Sequence, residues 1–234
     1  MTLLGVDGCR GGWIVAEASR VGARPRFQLF PTFAELLRAF AAGDALACVD
    51  VPIGLCDAGR RCDREARALL GPARACSVFT PPSRSALAGA TPAETRRLNL
   101  RATGRSLSAQ TIGIVPKLRE VDAAMTPALQ FRVREVHPEL VFASLTPAGR
   151  GLAASKKTEQ GRRERLALLP QALAAAAPSR AARPYPAAQV ALDDYVDALA
   201  ALVTAGRIAR GEASRVPQDG VDLDARGLAM EIVW

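Results

Sequence analysis

The sequence predicts an α/β fold. It comprises a five-stranded mixed sheet with three antiparallel strands first, flanking helices, and a helical insertion after the fourth strand. Three observations lead there. Residues 2–7, 12–18 and 25–30 are apolar runs joined by short turns, as in an antiparallel meander. Ala45 to Val51 is a nearly all-apolar run, the pattern of a strand buried on both faces. Later segments carry helix start and stop signals, ending in a long small-residue helix from Val190 to Arg210 that Gly211 closes.

Each element has a local reason. The first turn, Gly8 to Gly12, holds three glycines able to take positive φ; the second runs from Gly22 to Pro25. Thr32-Phe33-Ala34-Glu35 is a capping box that opens a helix through about Ala42, ended by Gly43-Asp44. Pro52 stops the fourth strand, which leaves Asp50 at its end. Residues 56–130 are the helical insertion. Within it, Arg61 to Leu70 is a helix, residues 72–90 are a Pro-, Ser- and Arg-rich loop, Thr91-Pro92-Ala93-Glu94 starts a second helix, and another follows Pro116. Phe131 to Val136 alternates apolar and charged residues as the fifth strand. A short helix over 138–145 accepts Pro138 in its first turn. Gly149 to Lys157 is a basic loop, Thr158 to Leu169 a helix that Ala172 to Ala177 extends, and 178–188 a proline-bearing connector. Residues 212–225 are polar, and Leu228 to Val233 is a last strand or extended tail.

At 234 residues with 49% apolar content, the chain suits one soluble domain spanning 1–234. Its formal charge of +8 fits a polyanionic partner such as nucleic acid. Lysine occurs only at 117, 156 and 157, however, so the arginine excess equally fits a GC-biased genome. A core strand starts at once and no apolar run nears the roughly 20 residues of a membrane span, so a cytoplasmic, non-membrane protein is expected. Five cysteines without a C-x-x-C pair and a single histidine, His137, argue against disulfide and zinc frameworks.

The acids that stand out are Asp7, Asp50, Glu139 and the Asp193/Asp194/Asp197 cluster. Asp194 and Asp197 share one helix face, and the small apolar stretch after them can pack closely on a sheet. Carboxylates without histidine or thiolate partners form a hard oxygen site suited to Mg²⁺ or Mn²⁺. Two such ions about 4 Å apart serve phosphodiester hydrolysis. Each acid also has a structural reading. Asp7 and Asp50 suit turns, Glu139 suits a helix first turn, and Asp193 and Asp194 suit N-cap and N1 positions. Asp197 lies one turn into a buried-looking helix, where a lone carboxylate is costly unless paired or metal-bound.

The order of these elements resembles the RNase H-like fold, and Asp194-Tyr195-Val196-Asp197-Ala198-Leu199-Ala200 is similar to the corresponding helix of its Holliday-junction resolvases. More closely, residues 3 to about 210 resemble the predicted RNase H-fold nucleases of domain of unknown function 429. The motifs that carry the likeness are Gly5 to Trp13, Val49 to Leu55, Arg61 to Arg67, Glu135 to Glu139, Ser155 to Thr158 and the late aspartates.

The resemblance implies a divalent-metal-dependent nuclease or phosphodiesterase acting on DNA or RNA. Asp7, Asp50 and Asp197 would be its metal ligands and Asp194 a neighbouring acid. Glu139 lacks a firm resolvase counterpart but follows the fifth strand toward the same end. Arg10, Arg84, Arg134, Lys117, Lys156 and Lys157 are candidates for phosphate contact, or solvated surface residues. His137 either polarises a reacting group or is structural. Two other functions stay open. One is an actin-like or sugar-kinase-type nucleotide-binding protein, with Gly8, Gly11 and Gly12 cradling phosphate. The other is a non-catalytic nucleic-acid-binding module. The oligomeric state is open, a dimer included.

Overall fold

The structure, a computed structural model, describes residues 1–41 and 43–234; the helix end expected at Ala42 lies outside the described residues. The elements run β1 (Thr2–Cys9), β2 (Gly12–Ala18), β3 (Arg26–Phe30), α1 (Phe33–Phe40), β4 (Ala45–Val49), α2 (Arg61–Leu70), α3 (Pro92–Thr103) and α4 (Ala109–Ala124). There follow β5 (Val133–Glu135), α5 (Pro138–Leu145), α6 (Glu159–Leu168), α7 (Gln171–Ala174) and α8 (Leu192–Arg210). Four two-residue strands end the chain: β6 (Arg215–Val216), β7 (Asp222–Leu223), β8 (Ala229–Met230) and β9 (Ile232–Val233).

The main sheet is five-stranded in the order β3-β2-β1-β4-β5. β1, β2 and β3 pair antiparallel, and β4 and β5 join in parallel. This is the mixed α/β architecture the sequence predicts, and it is consistent with an RNase H-like fold. Gly12, at φ +131°, makes the first turn possible, since a Cβ there would meet the Phe30 carbonyl oxygen at 2.1 Å.

Side chains alternate across β1 and sort into two layers. Leu4 and Val6 join Trp13, Val15, Phe33, Leu36, Leu118 and Val121 beneath α1 and α4. Leu3 joins Ile14, Ala16, Leu46, Phe142 and the apolar residues of α8 on the other face. Gly5 fixes the distance between α8 and the sheet. A Cβ there would stand 2.0 Å from the Ala198 carbonyl oxygen and 2.2 Å from the Leu202 amide nitrogen. The helix backbone therefore rests directly on β1, and Ala198, Ala200, Ala201 and Ala205 make this approach possible from the helix side.

Several local expectations change. The helix expected after Pro116 begins at Ala109 and carries Pro116 inside it. Within 56–130, α4 packs on one face of the sheet, and its Glu120 carboxylate accepts from Trp13 Nε1 at 2.9 Å and Phe33 N at 2.8 Å. β5 is shorter than expected because Phe131 belongs to a preceding turn of 3₁₀-helix. The C-terminal stretch forms two small ladders, β6 with β9 and β7 with β8, and Val233 bridges to Val136 beside β5.

Candidate carboxylate site at the sheet rim

Strand register brings the first two acids together. Val6 pairs with Val49, so Asp7 and Asp50 follow side by side, and Asp50 N donates to the Val6 carbonyl at 2.9 Å. Asp7 lies on the Leu3–Gly5 face of β1, the face that α8 covers. The close seat of α8 on Gly5 then sets Asp197, the residue before Ala198, against that rim. β5 runs parallel to β4, so His137 and Glu139 emerge at the same rim, where α5 starts.

A buried network holds the loop after Asp50. Glu135 accepts from Ile53 N at 2.6 Å and takes the Arg60 guanidinium on both oxygens, at 2.6 and 2.7 Å. Asp63 lies 3.6 Å from the same arginine. The motifs around Arg61 and Glu135 thus stabilise the strand-end loop, with both partners buried and paired.

The rim acids are crowded: Asp7 and Asp197 are buried, and Asp50 and Asp194 are half-buried. Asp7 titrates well above the usual carboxylate range, because burial disfavours its charge and Asp50, Asp197 and Asp194 repel it. Burial first, then neighbouring acids, pushes Asp50, Asp194 and Asp197 up to about 6. Lys156 opposes all four shifts. Its ammonium bonds Asp197 Oδ2, and the Asp197, Asp7 and Asp50 charges raise the lysine's own pKa. Asp197 is 1% exposed, and its other oxygen, Oδ1, has no partner among the described residues.

The acids are not equivalent. Asp7, Asp50 and Glu139 line a cleft of about 590 Å³, together with Lys117, Lys156 and Lys157. Asp197 lies behind Lys156. Asp194 occupies the third helical position of α8, not the first; Ala191 is the N-cap, and Asp194 Oδ2 accepts from its amide at 2.8 Å. Glu139 reaches the rim, but Arg165 Nη2 grips both its oxygens at 2.7 and 2.9 Å, and Arg74 Nε lies 3.9 Å away. His137 Nε2 contacts the Ser77 carbonyl at 3.2 Å, and burial lowers the ring's pKa, so it is neutral at pH 7.

Of the cations expected at phosphate, Lys117, Lys156 and Lys157 line the cleft. Lys117 Nζ stands 4.7 Å over the Trp13 ring. Arg10 is exposed on the β1–β2 turn and lines no part of the cleft. Arg134 pairs with Glu231 of the C-terminal segment at 2.6 Å, and Arg84 pairs with Asp122 and Asp224; neither lines the cleft. Arg74 does line it and Arg165 orients Glu139, but neither arginine carried a signal in the sequence. The partners of Glu139 come from the loop after α2 and from α6, joined only by the tertiary fold.

All five cysteines are unpaired. Burial pushes the Cys9 thiol up to about 11 and those of Cys48 and Cys62 to about 12, which leaves these three unreactive near neutrality. Among the described residues, no three His, Cys, Asp or Glu side chains are grouped closely enough to hold a metal ion as they stand. The donor chemistry nevertheless fits a hard divalent cation: carboxylates crowded enough to repel one another, and an unpartnered buried oxygen on Asp197. Lys156 holds the other oxygen of Asp197.

Fold and site together define an α/β protein with a carboxylate-rich cleft at the ends of two parallel strands and a helix. The chain belongs to the family described as protein of unknown function (DUF429), whose model matches residues 5–221. No curated protein and no solved structure matches it. Among the described residues no helix is long and apolar enough to cross a membrane.

Proposed function

We propose that the rim cleft is the active site of a divalent-metal-dependent phosphodiester hydrolase acting on DNA or RNA. The observation that carries this reading is the convergence of Asp7, Asp50, Asp194 and Asp197, all raised above the usual carboxylate range and offset by one lysine. Gathering like charges at one buried or half-buried rim destabilises a fold and is characteristic of functional sites. Asp7, Asp50 and Asp197 would hold Mg²⁺ or Mn²⁺, with Asp194 bracing the helix end that carries Asp197. Such an ion polarises the phosphodiester and lowers the pKa of the attacking water.

The chain's own residues do the rest. Lys117, Lys157 and Arg74 line the cleft and neutralise an incoming phosphate. Lys156 holds Asp197 in place and presents the remaining positive charge. Glu139, fixed by Arg165, is oriented at the cleft wall, and its role is to position that wall. The unpaired thiols suit a cytoplasmic setting.

The test is incubation of single-stranded, duplex and branched DNA and RNA with the protein in Mg²⁺ and Mn²⁺. Cleavage is expected, and Asp7→Asn and Asp197→Asn should each abolish it. An intact panel, or cleavage that survives both substitutions, overturns the reading. ATP binding without cleavage would instead favour the actin-like alternative. Nucleic-acid binding that survives an Asp7→Asn/Asp197→Asn double variant, without cleavage by either protein, would favour a binding module.

A further inference from the structure

A second cavity, about 710 Å³, adjoins the carboxylate cleft. The two share three lining residues: Cys76, Phe79 and Gln110. Phe79 is half-buried, yet it belongs to none of the hydrophobic clusters of the described residues and stacks on no other aromatic ring. An aromatic ring that supports no core and stands on the border of two cavities is available to a ligand.

The cavities differ in chemistry. The first holds three acids, Asp7, Asp50 and Glu139. The second holds one acid, Asp57, against Arg67 and Arg105, and its other polar lining is hydroxyl and amide. Arg67 is spent on the Val78 carbonyl at 2.8 Å and Thr80 Oγ1 at 3.1 Å, which shapes the wall beside Phe79. The side chains of Arg105 and Gln110 are exposed and make no hydrogen bond among the described residues. Free guanidinium, free amide and unstacked ring are the three groups that contact phosphate, base edge and base face.

Both volumes lie within the roughly 300–1,000 Å³ of small-ligand sites, so each admits a nucleotide or two, and stacking on Phe79 requires a base free of a duplex. We propose that the second cavity is a nucleotide subsite for single-stranded nucleic acid. The strand passes from the carboxylate cleft over Phe79, which stacks a base, toward Gln110 and Arg105. This assignment rests on the carboxylate cleft being the phosphodiester site, and it names the single strand as the substrate class.

The experiment measures fluorescence anisotropy of a labelled six-nucleotide single strand and of a hairpin duplex, with the full-length protein in Ca²⁺. Single-strand binding should exceed duplex binding about 10-fold. Phe79→Ala should lose about 10-fold in single-strand affinity, the scale of one base stack, and Phe79→Trp should retain it. Gln110→Glu, at an exposed position, should also weaken binding; circular dichroism melts check that each variant is folded. Equal or tighter duplex binding, or single-strand binding unchanged by both Phe79→Ala and Gln110→Glu, overturns the subsite. Phe79-dependent strand binding with no cleavage in Mg²⁺ or Mn²⁺ overturns the hydrolase reading and leaves the subsite standing. Cleavage indifferent to Phe79 does the reverse.

Discussion

Lys156 is the positive charge that the crowded rim relies on when no divalent cation is present. Lys156→Met keeps the aliphatic length and removes that charge. Asp197 is 1% exposed at the side chain and would be left without its ion-pair partner, while 39% of the Lys156 side chain is in water. Breaking a fully buried pair costs roughly 3–5 kcal/mol. Solvent screening on the lysine side reduces this to about 2 kcal/mol. For a chain of this size that is a Tm loss of about 4–8 °C, read by thermal denaturation in EDTA. A divalent cation on the same carboxylates restores the missing charge, so millimolar Mg²⁺ should raise the Tm of Lys156→Met by several degrees more than that of the wild type. Equal Mg²⁺ shifts in the two proteins would refute the reasoning and reduce Lys156 to an ordinary salt bridge.

Other outcomes follow from the same geometry. Asp7→Asn should stabilise the metal-free protein at pH 7–8 by about 1–2 kcal/mol while abolishing activity, since it removes the most strained charge; an unchanged or lower Tm would argue against crowding. The pH dependence has a definite sign. Asp50, Asp194 and Asp197 move from 3.8 to about 6 on folding, so between those values the folded chain binds more protons than the unfolded one. The contribution of these groups to the stability of the metal-free protein therefore falls as pH rises from about 4 to 6, and Mg²⁺ should offset the loss only above that window; urea melts across pH 4–8 would show it. Gly5→Ala should cost about 3 kcal/mol or more, because its Cβ overlaps the α8 backbone and no side-chain rotation relieves that. A Gly5→Ala protein with native stability would mean that α8 does not rest on β1.

The sequence by itself determined the five strands of the main sheet, their order of appearance and three of the rim acids. Periodicity and turn chemistry are local, and Asp7 and Asp50 end apolar runs that could only be strands. Asp197 is legible because a carboxylate inside an alanine-rich helix has no local reason to be there. What the acids face was decided by the tertiary structure alone. Lys156 meets Asp197 across 41 residues, and Arg165 meets Glu139 across 26, with no repeating pattern linking either pair. Arg134 is a candidate phosphate contact in the sequence, but only the folded C-terminal segment presents Glu231 to it. Pro116 suggested a helix start where the chain continues a helix, since packing of α4 on the sheet outweighs the local cost of the proline. Helix and strand propensities are set by neighbours in the chain. Ion pairs and cavities are set by neighbours in space, and those exist only after the sheet has formed and α8 has settled on Gly5.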